Sequence, residues 1–462
     1  MSQWVHFTGI AGVTTGQLAI AMKQAGYDVT GSDRGIFPPI STHIENNGIE
    51  IQLGYKSEHL TRSFYIDKYG EGALRSSNEH PDFIIMQGAK GTKNAEYLYA
   101  QKHTIPIQNY TDILKEKLIV SGNSIVVSGT YGKTTTTAMV SWIFKQAGLP
   151  INYMFGGLCD NFKNGIKFRD DAKFSIIEGD EYVISHERRT SKFFEYSPKY
   201  LILTGIEWDH ADIFPTKDSY IENFNNLIKS IPEDGCIIFN AKDTTITRLI
   251  ENAQCKIIPY NYQEVMTSDI RGKIIQSLSL LGEHNKENAL AAIKLCEYLG
   301  IDLDIIRNSI ATFKGIKRRL EVIYNDENTV LVDDFGASPS KAESALHAIT
   351  QAYPEHKILA IFEPNLGSRT EDGLEEYQTT FTAVDQLFLP RFTRVKGTYI
   401  SHTDLANYLR PHSIPVETFD DDSDLIQAIT NFEPEKRCVV IFLGSHGFRG
   451  MIEETKAIFD KS

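Results

Sequence analysis

The amino-acid sequence predicts an α/β protein of three domains, each built on a parallel β-sheet. Short apolar strands alternate with helical patterns along the whole chain, which is typical of such sheets. The 462 residues are enough for about three domains at ~150 residues each. A hydrophobic content of 41% is sufficient for several packed cores. We predict domains over residues 1–107, 108–314 and 315–462.

Composition argues against several functional classes. The net charge is −13 and long basic runs are missing, so nucleic acid is not expected as a partner. The five cysteines are odd in number and lack CxxC spacing, which predicts free thiols in a reducing cytoplasm and no zinc site. The N-terminus lacks a basic-then-apolar signal, and apolar runs stay below the ~18 residues that a membrane span needs. We expect a cytoplasmic protein without a membrane partner.

The first domain begins with a strand, a glycine turn and a helix, which together indicate a Rossmann-like fold. The strand Val5–Thr8 runs into the turn Gly9–Gly12, and a second strand ends at Gly31–Asp33. A glycine turn can accommodate phosphate, and an acid after the second strand can bind a ribose or a base. The glycines do not form the GxGxxG pattern. An ordinary strand–helix turn that binds no ligand is therefore the alternative interpretation.

The middle domain contains the strongest motif, a strand followed by Gly129–Thr137 with the sequence GTYGKTTTT. A turn of this kind at the start of a helix near Lys133 directs backbone N–H groups at one point, where a polyphosphate can bind. Lys133 would contact the β- and γ-phosphates, and the Thr134 hydroxyl would bind Mg²⁺. Val127 occupies the first glycine position of the standard P-loop. The alternative is a chance strand–turn–helix.

Two further strands of this domain lead into acidic or imidazole groups. Phe174–Ile177 runs into Glu178, and Tyr200–Leu203 precedes Asp209 and His210. Ligands gather at the carboxyl ends of parallel strands, so Glu178 and His210 could face the same metal as Thr134. The alternatives are a solvated acidic turn and a structural histidine.

A helix predicted to start near Gly282 carries two asparagines three residues apart, Asn285 and Asn288. They share one helix face, and their amides can pair with the edge of a base. Helix capping by Asn285 remains the alternative.

The third domain pairs a basic cluster with an acidic strand end. Lys317–Arg319 lies at the predicted domain junction, and the strand Val330–Val332 ends in Asp333 and Asp334. One cation could contact a nucleotide bound next door, and an acid could hold its ribose or Mg²⁺. A surface basic patch and a solvated turn are the alternatives. Further strands are expected over 358–362, 386–389 and 439–443.

Together these segments resemble the Mur ligase family, the ATP-dependent amide-forming enzymes of peptidoglycan precursor synthesis. Six motifs in family order carry the resemblance, which covers nearly the whole chain and also accounts for Val127. They are Gly129–Thr135, Glu178–Tyr182, Asp209–His210, Gly282–Ala289, Arg318–Glu321 and Asp333–Phe335.

The resemblance implies a role for each candidate residue. Lys133, Glu178 and His210 would be catalytic, and Thr134, Glu178 and His210 would bind Mg²⁺. The implied ATP contacts are Gly129, Thr130, Gly132, Lys133, Thr134, Thr135, Asn285, Asn288, Arg319 (or Arg318) and Asp334 (or Asp333). The implied UDP-sugar contacts are Gly9, Ile10, Gly12, Ser32 and Asp33.

The segments divide between two branches of the family, both of which attach an L-alanine amine to the lactyl carboxylate of UDP-N-acetylmuramate. Gly9–Gly12 and Gly31–Asp33 resemble the branch that adds L-alanine. Phe37–Thr42 and Trp208–Phe214 are closer to the branch that adds an alanine-led tripeptide during murein recycling. We favour the tripeptide as amine substrate. Phe224 stands where some members have a carbamylated lysine, so no modified lysine is expected.

The third domain departs from both branches. Ala337 and Ser338 replace two usual histidines, and the segment Glu363–Thr370 differs from the expected pattern. Two other readings therefore remain. A folylpolyglutamate synthetase-like ligase would lack the N-terminal unit present here. A nucleotide-binding regulatory protein would have lost the amine site.

Overall fold

The computed structural model describes residues 2–86, 94–184, 188–210, 213–266, 268–365, 368–393, 399–432, 437–445 and 447–461. Parts of two segments named above lie outside the described residues. They are Ala211 and Asp212 of the tripeptide-type segment and Leu366 and Gly367 of the third domain.

The secondary structure alternates strands and helices throughout, as the sequence predicts. The strands are β1 Trp4–Thr8, β2 Asp28–Asp33, β3 Ile51–Leu53, β4 Phe83–Met86, β5 Ile107–Asn109, β6 Ser124–Ser128, β7 Ile151–Met154, β8 Ile166–Lys167, β9 Phe174–Gly179, β10 Tyr200–Leu203, β11 Cys236–Asn240, β12 Lys256–Tyr260, β13 Glu321–Asn325, β14 Thr329–Asp334, β15 Lys357–Glu363, β16 Gln386–Pro390, β17 Val416–Phe419 and β18 Cys438–Gly444. The helices are α1 Val13–Gln24, α2 Ile40–Asn46, α3 Arg62–Tyr69, α4 Ala95–Lys102, α5 Tyr110–Leu118, α6 Lys133–Gln146, α7 Lys217–Lys229, α8 Thr244–Leu249, α9 Ile270–Gln276, α10 Glu283–Tyr298, α11 Leu303–Thr312, α12 Pro339–Ala352, α13 His402–Leu409, α14 Asp422–Thr430 and α15 Met451–Phe459.

The first sheet has the order β3-β2-β1-β4-β5, with every pairing parallel. All five residues of the central strand β1 are buried, since a parallel sheet is covered on both faces. Thr8 pairs with Ser32, so the turn after β1 lies beside the end of β2. The predicted strand–turn–helix–strand unit is confirmed.

The second sheet has the order β12-β11-β10-β6-β9-β7-β8, and only its edge strand β8 pairs antiparallel among the described strands. β6 lies between β10 and β9, with Ser128 opposite both Leu203 and Gly179. The carboxyl ends of these three strands therefore meet at one edge. Every residue of β6 is buried, including Val127, so this valine belongs to the strand and not to the glycine turn.

The third sheet has the order β13-β14-β18-β15-β16-β17, with β13 antiparallel to β14. The strands predicted near 330, 358, 386 and 439 are all present. Asp334 pairs with Leu443, and Glu363 pairs with Gly444, so the ends of β14, β18 and β15 are aligned. With three sheets of this kind, the predicted three-domain α/β class is confirmed.

The chain divides into two compact units. One comprises residues 1–279 and 284–314 and holds the first two sheets, and the other comprises 280–283 and 315–462. Within the first unit, α1 contacts the second sheet: Gln17 Nε2 donates to the Phe155 carbonyl at 3.4 Å, and Asn164 Nδ2 donates to the Gln17 carbonyl at 2.8 Å. The domain bounds at 107/108 and 314/315 stay predictions.

Two expectations about the chain as a whole can be compared with the structure. All five cysteines are free thiols, as predicted, and Cys255 alone among them is not fully buried. Among the described residues, the helices are too short or too polar to cross a bilayer.

Candidate active site at the carboxyl edge of the second sheet

The glycine turn after β6 requires glycine at two positions for steric reasons. Gly129 and Gly132 have φ angles of 135° and 76°, in the region that disfavours side chains. A Cβ on Gly129 would collide with Thr204 and with the Gly205 backbone. The turn is fixed in this tight space because the Thr130 N–H donates to the Gly205 carbonyl at 2.8 Å.

The turn delivers the start of α6 to the sheet edge. Gly132 precedes Lys133, the first residue of α6, and has no side chain with which to cap the helix. The N–H groups of a first helical turn have no partners within the helix, and the dipole makes this end positive. The arrangement suits a phosphate group, which accepts several such hydrogen bonds.

Lys133 is held by acceptors on both sides. Its Nζ donates to the Gly129 carbonyl at 2.6 Å and to the two carboxylate oxygens of Glu181 at 2.8 and 3.1 Å. Burial by itself would lower the pKa of Lys133, but the charge and hydrogen bonds of Glu181 raise it above its usual value. The ammonium group therefore stays charged in this pocket, as polyphosphate binding requires.

Thr134 and Glu178, both predicted metal ligands, are in direct contact. Thr134 Oγ1 donates to Glu178 Oε1 at 2.8 Å, and the Gly156 N–H donates to Glu178 Oε2 at 2.6 Å. Burial raises the pKa of Glu178. A hydroxyl and a carboxylate are the hard oxygen donors that Mg²⁺ prefers, so this pair fits the ion.

His210 lies near this edge but contacts a different carboxylate. Its Nε2 is 3.5 Å from Glu181 Oε1, and its φ is 56° in the left-handed region. The hydrogen bond to Glu181 raises the pKa of His210. Within the described ranges, three or more His, Cys, Asp or Glu side chains do not come together as a metal cluster. The metal role of His210 stays a prediction.

Glu181 is a residue of this site that the sequence analysis did not assign. It is 1% exposed and contacts Lys133, His210 and the Tyr220 hydroxyl, the last at 3.4 Å. It lies two residues beyond the end of β9, where the chain has left the regular strand. The sequence shows three acids close together, at positions 178, 180 and 181. Their spacing alone does not indicate which of them contacts Lys133.

The two asparagines of α10 lie beside the glycine turn. Both Asn285 and Asn288 are buried. A Cβ added to Gly132 would lie 2.5 Å from Asn288 Oδ1, so this amide contacts the turn. The placement is compatible with the predicted adenine contact, and the role itself stays a prediction.

The predicted UDP-sugar residues form a compact turn at the end of the first sheet. Gly9 has a φ of 89°, and the N–H groups of Gly9 and Ile10 donate to the Ser32 carbonyl at 2.8 and 3.1 Å. Asp33 accepts from the Ala11 N–H at 2.9 Å. Gly12 directly precedes α1. The hydroxyl of Ser32 is buried and donates to Glu96 at 2.8 Å, so it faces the domain interior.

The start of α1 lies next to the predicted metal ligand Glu178. A Cβ placed on Gly156 would be 3.2 Å from Glu178 Oε2 and 3.6 Å from Thr14 Cγ2. Gly156 thus lies between the first turn of α1 and the carboxylate of the second sheet. The two predicted sites, one on each sheet of the first unit, are adjacent.

In the third sheet the structure separates the two candidate arginines. Arg318 Nε donates to Asp333 at 2.9 Å, and its Nη2 donates to the Gly444 carbonyl at 2.7 Å, so Arg318 ties strand ends together. Arg319 is exposed, with its guanidinium 5.4 Å from the centre of the Phe335 ring. Arg319 is thus the more exposed of the two, and its contact with phosphate stays a prediction.

The two candidate acids of this strand end are both buried. Asp334 accepts from the Leu320 N–H at 2.7 Å, and burial raises its pKa. Burial also raises the pKa of Asp333 to about 6, although Arg318 opposes the shift. The assignment of a ribose contact to Asp334 stays a prediction.

Ala337 and Ser338 leave little polar chemistry where two histidines were expected. Ala337 is buried, and its carbonyl accepts from the Asn365 N–H at 2.8 Å. Ser338 directly precedes α12, which starts with Pro339. Asn365, two residues after the end of β15, is therefore hydrogen-bonded to Ala337.

Comparisons with known proteins cover most of the chain. The Mur ligase family catalytic domain matches residues 4–119, the Mur ligase middle domain matches 127–296, and the Mur ligase glutamate ligase domain matches 318–446.

Individual relatives point in two directions. The chain is 31% identical over 377 residues to the UDP-N-acetylmuramate–L-alanyl-γ-D-glutamyl-meso-2,6-diaminoheptandioate ligase of Haemophilus influenzae, covering 78% of this chain and 79% of that protein. It is 28% identical over 455 residues to the UDP-N-acetylmuramate–L-alanine ligase of Clostridium kluyveri, covering 93% of each. The crystal structure of the UDP-N-acetylmuramate–alanine ligase of Thermotoga maritima matches with a TM-score of 0.75 at 21% identity, covering 99% of both chains.

Proposed function

Since the chain belongs to the Mur ligase family, whose members are ATP-dependent ligases, we propose that it joins the lactyl carboxylate of UDP-N-acetylmuramate to an alanine-led tripeptide. The product would be an amide, with ADP and phosphate released. The reaction belongs to peptidoglycan synthesis, and use of a tripeptide would assign it to murein recycling. A cytoplasmic location is part of the proposal.

The observation that carries the proposal is the contact through Gly156. Thr14, at the start of α1, and Glu178, beside Thr134, lie on either side of this glycine. A carboxylate on a UDP-linked sugar bound at the α1 turn would reach the phosphate end of an ATP bound at the α6 turn. Holding two reactants together in this way converts a bimolecular reaction into an effectively unimolecular one.

The residues of the second sheet fit ATP and Mg²⁺. The uncapped start of α6 and the charged Lys133 suit a triphosphate, and the paired oxygens of Thr134 and Glu178 suit the ion. Bound Mg²⁺ would neutralise phosphate charge. A carboxylate is a poor electrophile, and transfer of the γ-phosphate to it gives an acyl phosphate that an amine can attack. Lys133 would stabilise charge that develops during this transfer.

Support for a tripeptide comes from the third domain, where Arg391 and Arg449 lie close to strand ends. Both pair with Asp422, at 3.0 and 2.8 Å, and their side chains are 53% and 26% exposed. Arg369 is buried and donates to Glu363 and to the Pro364 and Thr393 carbonyls, so it is structural. L-Alanine has one carboxylate, whereas the tripeptide has several. Guanidinium groups recognise carboxylates bidentately, so the pair Arg391 and Arg449 matches the larger acceptor better.

The alternative is UDP-N-acetylmuramate:L-alanine ligase activity with free L-alanine. It is favoured by the C. kluyveri relative, which matches over 93% of both chains.

A mass-spectrometric screen tests the proposal. Purified protein receives UDP-N-acetylmuramate, ATP and Mg²⁺ with L-alanine, with L-alanyl-γ-D-glutamate or with the meso-diaminopimelate tripeptide. We expect the amide product with the tripeptide and ADP release only when all three substrates are present. Product from L-alanine alone would favour the alternative, and no product with any amine would contradict ligase function.

A further inference from the structure

The proposed function leaves one buried carboxylate of the active site without a role. Glu181 is neither a predicted metal ligand nor a predicted nucleotide contact, yet it touches two residues that are. Its side chain is 1% exposed, whereas Lys133 is 14% exposed and His210 is 32% exposed. An acid this deeply buried is retained only when its partners offset the cost of desolvation.

The lysine that should bind polyphosphate is already occupied in this structure. An ammonium group has three N–H donors, and Lys133 directs its donors at the Gly129 carbonyl and both oxygens of Glu181. Glu178 and Asp180 also act on Lys133 through their charges, but the hydrogen-bonded ion pair is with Glu181. A phosphate that arrives at the start of α6 therefore competes with Glu181 for this lysine.

Glu181 also connects the glycine turn to the Asp209–His210 segment. Its Oε1 lies 3.5 Å from His210 Nε2 and 3.4 Å from the Tyr220 hydroxyl. That hydroxyl lies 3.1 Å from Thr130 Oγ1 within the glycine turn. One carboxylate thus has contacts to both elements that surround the proposed phosphate site.

We propose that Glu181 is a positioning residue that holds Lys133 in the nucleotide-free protein and orients His210. On nucleotide binding, Lys133 exchanges Glu181 for the phosphates, and Glu181 keeps its contacts to His210 and Tyr220. This inference rests on the proposed ATP site and deepens it, since it makes the lysine's counter-ion a determinant of nucleotide affinity.

Substitution of an ordinary binding residue lowers ligand affinity, whereas substitution of Glu181 should raise the affinity for ATP. When part of the population is held in a non-binding state, apparent affinity falls in proportion to the competent fraction. Replacing the carboxylate of Glu181 by an amide weakens its hold on Lys133, so ATP should bind more tightly, by about 3–10-fold. Turnover should fall at the same time, by about tenfold, because the carboxylate that positions Lys133 and His210 is lost.

The test compares Glu181→Gln with wild type and with Glu195→Gln in the full-length protein. Glu195 lies in the same domain and pairs with Lys115 and Arg188, none of which is a predicted contact of ATP or Mg²⁺. Isothermal titration calorimetry with ATP in EDTA measures affinity without metal, and phosphate release with all substrates measures kcat. We expect tighter binding with lower kcat for Glu181→Gln and no change for Glu195→Gln. Unchanged or weaker ATP binding by Glu181→Gln would overturn the inference.

Two further measurements keep the test decisive. Should thermal unfolding show that Glu181→Gln does not fold, Glu181→Asp keeps the charge but withdraws it by one methylene. It should bind ATP about twofold more tightly than wild type, and an unchanged affinity would overturn the inference. Absence of ATP binding by the wild-type protein would instead contradict the proposed function, so the two failures are distinguishable.

Discussion

Glu96 and Glu181 are both buried carboxylates near the carboxyl edges of parallel sheets, but their partners differ in kind. Glu96, in the first turn of α4, is fully buried and accepts from Thr8 at 2.7 Å and from Ser32 at 2.8 Å. His59 and His6 lie 3.0 and 3.5 Å from its oxygens. Every one of these partners is buried.

Glu181, two residues beyond the end of β9, has two partners that reach solvent, since the side chains of Lys133 and His210 are 14% and 32% exposed. Its third partner, the Tyr220 hydroxyl, belongs to a buried side chain. Burial of a carboxylate therefore does not by itself reveal its role. Closed, rigid partners indicate a structural cluster, whereas accessible and exchangeable partners indicate a site that a ligand can enter.

The structural role of the Glu96 cluster can be tested by its effect on stability. Glu96→Ala leaves four polar partners without their shared acceptor in the interior, so we expect a loss of about 3–5 kcal/mol in the free energy of unfolding. Urea denaturation measures it, with Glu58→Ala as the control because Glu58 is exposed and pairs only with exposed Lys56 among the described ion pairs. A loss below about 1 kcal/mol would mean that the cluster is not structural.

At the second cluster, the largest effect should come from Lys133→Ala. If Lys133 has its proposed role, removing the ammonium group takes away electrostatic stabilisation of the transferred phosphate, and we expect turnover to fall about 100-fold or more. ADP formation with all substrates measures it, and Lys115→Ala serves as a control because Lys115 is exposed and pairs with Glu195. Near-normal ADP formation would refute the role of Lys133.

Substitution of His210, the more exposed partner of Glu181, tests whether this side chain contributes to Mg²⁺ dependence. If His210 has its predicted metal role, His210→Ala should raise the Mg²⁺ concentration needed for half-maximal activity about tenfold. The left-handed φ of residue 210 penalises alanine but not glycine, so His210→Gly separates side-chain loss from strain. Equal shifts in both variants support the metal role, and an unchanged Mg²⁺ titration rules it out.

The smallest expected effect is the loss of protein stability at acid pH that results from protonation of Glu96. Burial alone would raise its pKa, but His6, His59 and the Ser32 hydroxyl hold the pKa of Glu96 well below its usual value. The stabilisation by its ionised form is therefore present above the unfolded pKa of about 4.3 and is lost as pH falls below it.

The measured quantity is the change in the free energy of unfolding per pH unit in the acid range. One proton contributes at most about 1.4 kcal/mol per pH unit. We expect Glu96→Gln to show a shallower loss of stability between pH 5 and pH 3 than wild type, measured by denaturant unfolding. Parallel curves for the two proteins would contradict the assignment.

Much of the fold could be predicted from local pattern. The apolar run Ile125–Val127 and the glycines that follow it predict a buried strand, a turn and a helix at Lys133, and all three are present. The predicted strand Phe174–Ile177 continues two residues further, to Gly179. Such elements depend on periodicity and turn chemistry within about ten residues, so the sequence is sufficient to find them.

The candidate site was only partly predictable. Lys133, Thr134 and Glu178 were named from the motifs, and the structure brings Thr134 and Glu178 into contact. Glu181 was missed because its partner Lys133 lies 48 positions earlier in the chain. Which of Arg318 and Arg319 is available also depended on a distant group, since Arg318 is tied to Asp333 and the Gly444 carbonyl.

By itself the sequence determined the α/β class, the order of strands and helices, and the glycine turn that can accept phosphate. These follow from side-chain periodicity and from the freedom of glycine at positive φ, which are local properties. Tertiary structure decided which carboxylate faces Lys133 and which one, Glu96, is enclosed in the core. Those choices depend on the pairing of distant strands, because parallel neighbours bring together residues that are far apart along the chain.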